Sequence, residues 1–195
     1  MFWGLTAGAG FNAAVADEPE RVLPNPFFAF DNGLMDKAHQ TLAAKAQTLA
    51  DLGYDGIGWR PGNVPAMRAE LEKRGLRMFS LYTGLQLDAT GDPWDPRLPE
   101  TLAQLRGAGT IVWLTVTSRS HRPSDPAGDH RAVALIRRLA DMAAAHGLRV
   151  ALYPHHGFWL QTTEDAIRVA EQVDRPDVGV SFNLCHCLRA GNGPR

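Results

Sequence analysis

Leu148-Arg-Val-Ala-Leu-Tyr-Pro-His-His-Gly157 contains the pattern from which the fold of this chain can be predicted. Its apolar first half is typical of a buried strand, which is expected to end at Pro154 because proline cannot donate to the ladder of a central strand. Ahead of it, residues 130–146 carry apolar side chains at helical spacing, and Gly147 follows where a helix C-cap favours glycine. Helix, glycine and strand therefore follow one another, and two adjacent histidines come directly after the strand.

The same alternation of helix and strand recurs along the chain. Apolar runs predict six strands, and helical spacing of apolar residues between them predicts five helices. The strands are expected at residues 27–30, 54–59, 76–82, 110–117, 148–153 and 178–182, and the helices at 36–52, 64–74, 99–106, 130–146 and 162–174. The strands are rich in Val, Ile, Leu and Phe without strict alternation, which is typical of parallel strands that are buried on both faces.

Two α/β architectures agree with this pattern, a doubly wound open sheet and a (β/α)8 barrel. The first strand-to-helix turn contains Asp31-Asn32-Gly33 instead of the Gly-x-Gly-x-x-Gly of dinucleotide-binding folds, and Gly-x-x-x-x-Gly-Lys occurs nowhere. The missing nucleotide signatures favour the barrel, of which about six β/α units are present.

The composition is that of a globular domain with balanced charge. The 195 residues are 45% hydrophobic and 21% charged, and 20 basic against 21 acidic residues give a net charge of −1. This balance argues against a nucleic-acid partner, because phosphate binding usually requires a basic excess. No run of 18 apolar residues occurs, so no membrane span is expected.

Residues 1–20 are expected to lie outside the domain, which we place at 21–195. Residues 1–16 carry no charged side chain and end in Ala14-Val15-Ala16, directly before the acidic segment 17–20. This resembles a signal-peptidase site without the basic segment that opens a signal peptide. Two interpretations remain: the end of an export signal, which implies a periplasmic or exported protein, or a disordered leader of a cytoplasmic one.

Polar and aromatic side chains that follow the strands are the candidates for the functional site, because the loops after the carboxyl ends of barrel strands carry the active sites of that fold. Three of the seven histidines fall after the last two strands, and imidazole both binds transition metals and titrates near neutral pH. The candidates are Trp59, Arg60, Tyr82, Tyr153, His155, His156, Asn183 and His186.

Each candidate also has a purely structural interpretation. His155 and His156 could cap and hydrogen-bond their own loop, and His186 could be a core residue with its hydrogen bonds satisfied. Trp59 and Trp159 are predicted to wall a pocket, whereas mid-strand Trp113 is predicted to belong to the core. Cys185 and Cys187, the only cysteines, are expected at one strand end as buried thiols, because their spacing makes a strained disulfide.

At the last two strand ends the chain resembles the xylose-isomerase-like (β/α)8 barrels, which include sugar isomerases, epimerases, dehydratases and apurinic endonucleases. Tyr153-Pro-His-His-Gly157 stands where the family commonly has Glu-Asn-His-x-Gly, and Asn183-Leu-Cys-His186 stands where it has Asp-x-x-His. The Asn-Pro-Phe-Phe-Ala-Phe-Asp and Leu-Gly-Tyr-Asp-Gly-Ile-Gly segments near residues 25–58 are also typical, and the resemblance spans about residues 24–190.

The resemblance implies a sugar or polyol isomerase or epimerase that acts on a small-molecule sugar or sugar phosphate. It implies His186 as a ligand of a divalent metal ion (Mn, Mg, Co or Zn) and His155 and His156 as catalytic residues. Trp59, Arg60, Tyr82, Tyr153 and Asn183 would bind the substrate. Tyr153 and Asn183 replace the carboxylates of the family motifs, and carboxylates are the ligands that hard cations prefer.

Length is the second departure from the family pattern. Family members close the barrel with eight units and take a further His and Glu from strands seven and eight, so the chain is predicted to be a fragment with these strands missing. Two unpaired edges would favour oligomerisation. The alternative function is a degenerate, non-catalytic barrel that binds carbohydrate, and the net charge disfavours DNA repair.

Overall fold

One parallel sheet carries the fold. The structure, a computed structural model, describes residues 25–30 and 34–193. Within these residues the strands are β1 (Phe28–Phe30), β2 (Gly56–Trp59), β3 (Arg77–Gln86), β4 (Ile111–Thr117), β5 (Arg149–Leu152) and β6 (Val178–Val180). The helices are α1 (Leu42–Asp51), α2 (Val64–Glu72), α3 (Leu98–Gln104), α4 (Asp129–Ala144), α5 (Thr163–Val173) and α6 (Leu184–Arg189). The predicted leader at 1–20 and the Asp31-Asn32-Gly33 turn lie outside the described residues.

The strand order distinguishes between the two predicted architectures. All pairings are parallel and the order is β1-β2-β3-β4-β5-β6, so each strand lies beside its neighbour in sequence. In a doubly wound sheet the order of the strands reverses at a switch point, whereas in a barrel each strand follows its neighbour in sequence all the way round. The fold is therefore a partial α/β barrel, as the sequence predicts.

Aromatic contacts show that the sheet curls around an interior. Phe28 and Phe30 of β1 lie 5.8 Å and 6.2 Å, centroid to centroid, from Trp113 of β4. In a flat sheet, strands three places apart are about 14 Å from each other. The inner face is therefore concave, and aromatic side chains from opposite strands meet across it.

The two faces of the sheet carry different residues. On β4, Val112, Leu114 and Val116 are fully buried in the hydrophobic core that also contains the inner residues of the helices. Trp113 points to the opposite, concave face and is only partly buried. The prediction that Trp113 is a core residue is therefore wrong, because mid-strand position does not decide which face a side chain occupies.

The helices begin where their caps place them. Thr162 and Asp165 form the reciprocal capping box of α5, which confirms the predicted start. Helix α1 begins later than expected: Asp36 caps a short 3-10 helix at Lys37–His39, and Thr41 then caps α1 at Leu42. Among the described helices, none is long and apolar enough to cross a membrane.

Helix α6 was not among the five predicted helices. Its N-cap is Asn183, whose side-chain oxygen accepts the backbone N–H of His186. Cys185 and Cys187 therefore lie on a helix instead of at a strand end, and both are free thiols. Cys185 is exposed and Cys187 is partly buried, so the prediction of two buried thiols is wrong.

Candidate functional site

A cavity of about 610 Å³ opens at the carboxyl ends of the strands, on the concave side of the sheet. Six predicted site residues line it, and four further residues complete its wall. The lining residues are Phe30, Arg60, Tyr82, Trp113, Tyr153, His155, Phe182, Asn183, Cys185 and His186. The cavity is thus the place where the separate strand ends bring their side chains together.

Trp59 and His156 are the predicted site residues that do not line the cavity. Trp59 pairs in register with Leu81, a core residue, after a register shift between Ile57 and Gly58, and it is 4% exposed. Its indole N–H donates to the carbonyl of Gly62 at 3.0 Å. Trp59 lies on the same face of β2 as the core residue Ile57, two positions earlier, so it packs in the core and leaves the following residue, Arg60, at the cavity.

Four lining residues were missed by the sequence analysis: Phe30, Trp113, Phe182 and Cys185. A signal existed for Trp113, because Val112, Leu114 and Val116 alternate with Trp113, Thr115 and Thr117. Such alternation places the second set on the face opposite the aliphatic residues. For Phe182 and Cys185 the missing knowledge was α6, which determines where they lie.

Aromatic rings form the wall of the cavity. Trp113 stacks on Tyr153 with 5.3 Å between ring centroids, and Tyr82 meets Tyr153 edge to face at 5.7 Å. Phe30 meets Tyr82 edge to face at 5.6 Å. Burial raises the pKa of Tyr82, and the hydrogen bond with Thr115 opposes that shift only in part. The packing gives the cavity a rigid, largely apolar side.

A chain of hydrogen bonds connects β5 to α6 at the cavity. Asn183 donates its side-chain N–H to the hydroxyl of Tyr153 at 2.5 Å and accepts the backbone N–H of His186 at 3.0 Å. Burial raises the pKa of Tyr153, although the hydrogen bond from Asn183 works against the shift. The phenol is therefore protonated throughout the neutral pH range.

Two imidazoles lie against each other beside this chain, with their planes tilted by 38°. The ring centroids of His155 and His186 are 3.8 Å apart, and Phe158 stacks on the other face of His155 at 4.0 Å. The Nδ1 of His155 lies 2.9 Å from the carbonyl oxygen of His156, which can only accept, so Nδ1 carries the hydrogen and Nε2 carries the lone pair. His155 is thereby set up as a base or a nitrogen ligand.

The second imidazole, that of His186, is kept neutral by its surroundings. Burial lowers the pKa of His186, and the nearby His155, Arg189 and His156 add to this because a second positive charge beside them is unfavourable. Within the described residues its buried Nδ1 has no hydrogen-bond partner. His186 can therefore accept a proton at neutral pH.

The loop after β5 is fixed by a buried tryptophan, Trp159, that hydrogen-bonds to another loop. β5 ends at Leu152, two residues before Pro154, and Gly157 takes a φ of +85°, a conformation that L side chains rarely adopt. Trp159 is buried, and its indole N–H donates to the carbonyl of Asp125 at 2.9 Å. Trp159 anchors the loop and does not line the cavity, so its prediction as a pocket wall is wrong.

The sequence matches a known protein family over most of its length. Residues 46–195 match the family described as "Xylose isomerase-like TIM barrel". The chain belongs to the xylose isomerase-like TIM barrel family. No curated protein matches the sequence significantly.

Solved structures share this xylose isomerase-like fold. The 3-keto-D-glucoside 4-epimerase of E. coli has a TM-score of 0.68 at 16% identity, over 86% of this chain and 72% of that chain. The probable 3-DHS dehydratase of Bacillus anthracis has a TM-score of 0.67 at 16% identity, over 86% and 66%. A xylose isomerase-like TIM barrel protein from Mycobacterium smegmatis, in complex with magnesium, has a TM-score of 0.59 at 21% identity, over 84% and 66%. The chain spans roughly two thirds of each.

The described residues do not by themselves fit a metal ion. Among them, no three His, Cys, Asp or Glu side chains lie close enough together to hold one. His155 and His186 supply two nitrogens, whereas protein zinc sites use at least three protein ligands and magnesium prefers oxygen ligands. No carboxylate occurs in the described lining of the cavity. A metal in this xylose isomerase-like barrel would need ligands beyond this set.

Proposed function

We propose that the protein is a sugar or polyol isomerase or epimerase whose His155 and His186 move a proton on the substrate. The observation that carries the proposal is the imidazole pair of His155 and His186, whose ring centroids are 3.8 Å apart, on an aromatic-walled cavity at the carboxyl ends of the strands. Isomerisation and epimerisation of a sugar both begin when a base removes a proton from a carbon beside a carbonyl group. A histidine with a free lone pair suits this step near neutral pH.

The similar structures support the substrate class at a coarser level. One of them is an epimerase of a keto-glucoside and another is a probable dehydratase. D-psicose 3-epimerase, determined in the presence of D-fructose, has the same fold. These proteins act on small polyhydroxylated molecules by name, and we extend that class to the present cavity.

The aromatic wall would bind the apolar face of the sugar. Trp113 and Tyr82 present ring surfaces to the cavity, and such surfaces pack on the C–H groups of a pyranose or an open chain. Arg60, Tyr153 and Asn183 would hydrogen-bond the carbonyl, hydroxyl or phosphate oxygens of a sugar or sugar phosphate. Trp59, below the cavity, would support Arg60, whose guanidinium lies 5.7 Å from its ring centroid.

His155 Nε2 would take the proton. His156 contributes its backbone carbonyl, which fixes the tautomer of His155. His186, the other imidazole of the pair, would return a proton to the substrate. In an isomerisation the proton would go to the neighbouring carbon, and in an epimerisation it would go to the opposite face of the same carbon. A divalent ion, as in the magnesium-bound relative, would join His186 only with further ligands.

Turnover of a sugar panel tests the proposal. Aldoses, ketoses and their phosphates are incubated with the protein, and isomers are detected by NMR. We expect at least one substrate to be converted, with a rate that falls about 100-fold or more in His155→Gln, because general-base contributions are typically of this size. His130→Gln, at an exposed position on α4, is the matched control and should keep the wild-type rate. Equal rates in wild type and His155→Gln would contradict the role of the imidazole.

A carbohydrate-binding protein without activity is the second candidate. It is favoured by the absence of a carboxylate from the described lining, together with the aromatic wall. Binding measured by calorimetry without turnover of any member of the panel would select this function over the first.

A further inference from the structure

The side chain of Asn183 is fixed by both of its ends. Its Oδ1 accepts the backbone N–H of His186, as the N-cap of α6. A backbone N–H can only donate, so the oxygen of the amide must face α6 and the NH2 group must face Tyr153. The amide orientation, which is often ambiguous, is here determined by the chain itself.

This orientation determines the direction of the hydrogen bond to Tyr153. The NH2 group of Asn183 donates to the phenol oxygen at 2.5 Å, so the phenol accepts. The hydroxyl hydrogen of Tyr153 must then point away from Asn183. Within the described part of the chain, no acceptor takes that hydrogen.

The ring of Tyr153 is fixed in position by its neighbours. It is 6% exposed, stacked on Trp113 and in edge contact with Tyr82. Both Tyr153 and Asn183 line the cavity, so the cavity is the place where that hydrogen can meet an acceptor.

We propose that Tyr153 is a hydrogen-bond donor to an acceptor-only oxygen of the cavity ligand, and that Asn183 holds it in this role. A ketone carbonyl is such an oxygen, whereas a hydroxyl both donates and accepts. The ligand half of the proposal rests on the proposed function, in which the acceptor is the sugar carbonyl. When His155 removes the neighbouring proton, the C–H electron pair moves toward that oxygen, which gains negative charge and binds the phenol hydrogen more strongly.

A substitution at position 183 can test the direction of the hydrogen bond to Tyr153. An aspartate there would keep the helix cap through one oxygen, but its second oxygen can only accept. The phenol would then have to donate to the aspartate, and its hydrogen would be withdrawn from the cavity. Asn183→Asp thus reverses a single hydrogen bond while keeping the shape of the site.

Raman spectroscopy of the ligand-free protein tests the polarity. The intensity ratio of the tyrosine doublet differs between phenols that accept hydrogen bonds and phenols that donate them. The chain has three tyrosines, so the wild-type spectrum minus that of Tyr153→Phe isolates one of them. We expect an acceptor signature in wild type and a donor signature in Asn183→Asp. Tyr54→Phe, at a ring stacked on Phe27, is the control for the subtraction. A donor signature already present in wild type would overturn the proposal.

Paired ligands test the acceptor. Erythrulose, an open-chain ketose, and erythritol differ at one carbon, which is a carbonyl in the first and an alcohol in the second. We expect erythrulose to bind more tightly than erythritol and to lose about tenfold in affinity in Asn183→Asp, while erythritol changes little. Equal loss for both ligands, or no binding of erythrulose, would refute the carbonyl assignment. The Raman result requires no ligand, so it separates failure of this inference from failure of the proposed function.

Discussion

His186 is the residue at which pH should act on the stability of the protein. Its pKa in the folded state is lowered, chiefly by burial and then by His155, Arg189 and His156. The unfolded chain therefore takes up a proton at this position before the folded protein does. Stability is unaffected where both states are neutral and is lost as pH falls below the ordinary histidine pKa of about 6.5.

The expected result is a free energy of unfolding that decreases between about pH 7 and pH 5, with a smaller decrease in His186→Gln. Urea denaturation at a series of pH values measures it. His130→Gln, on the exposed face of α4, is the control and should follow wild type. Identical pH profiles of wild type and His186→Gln would contradict the burial argument.

At the residue scale, the structure brings four of the predicted polar residues together at one cavity. Tyr153, His155, Asn183 and His186 were found because each follows a strand, and parallel strands end at the same edge. Trp59 lies in the core and Trp113 at the cavity, the reverse of the prediction, because alternation along β2 and β4 decides which face each ring occupies. Alternation separates the two faces of each strand, but which face lines the cavity depends on how the sheet curls.

At the scale of elements, a polar network joins α4 to α5. Arg168 donates to Asp129 at 3.0 Å and to Asp165 at 2.6 Å, and both carboxylates are buried. Burial would raise the pKa of Asp165, but hydrogen bonds from Ser124, Arg168 and Thr162 together lower it. The guanidinium is one third exposed, so part of the network is screened by solvent.

Arg168→Met should lower the free energy of unfolding by about 2–3 kcal/mol at neutral pH, because it leaves two buried carboxylates without their cation. Since the folded pKa of Asp165 is lowered, the wild-type advantage is present above the unfolded pKa of about 3.9 and is lost as pH falls through the folded value. Urea denaturation at pH 7 and pH 3.5 checks both. An equal effect of Arg131→Met, at an exposed position of α4, would indicate that the network contributes nothing specific.

Elements were predictable where a long periodic pattern or a cap marks them. Helix α5 carries its capping box in the sequence, and α4 carries a continuous apolar face. Helix α6 has six residues and begins at Asn183 without an acidic partner three residues later, so its pattern is too short to recognise.

At the scale of the whole molecule, the described sheet has two edges. β1 and β6 each pair on one side within residues 25–30 and 34–193. Beside β6, Phe182, Leu184 and Leu188 are 63%, 61% and 49% exposed. Exposed apolar side chains next to an open strand edge promote association.

We therefore expect this chain to self-associate in a concentration-dependent manner. Leu184→Lys should shift the equilibrium toward the monomer in sedimentation velocity, because it places a charge on the apolar surface beside β6. Leu52→Lys, which changes an equally exposed leucine after α1, is the matched control. A monomeric wild-type chain at all concentrations would refute the expectation.

The barrel itself was predictable because six helix–strand units repeat and nucleotide signatures are missing. The cavity shape was not, because it depends on how far the sheet curls and on which rings, Phe30 and Trp113 among them, meet across it. Those contacts join residues more than eighty positions apart in the chain.

Proton exchange with solvent tests the central claim most directly. The protein is incubated in D2O with erythrulose and with any sugar that the panel shows to be converted, and NMR follows deuterium at the carbon beside the carbonyl. If the imidazole pair moves the proton, we expect catalysed exchange in wild type and an exchange rate that is lower by about 100-fold or more in His155→Gln. Absence of exchange in wild type, or an undiminished rate in His155→Gln, would contradict the claim that this pair moves a substrate proton.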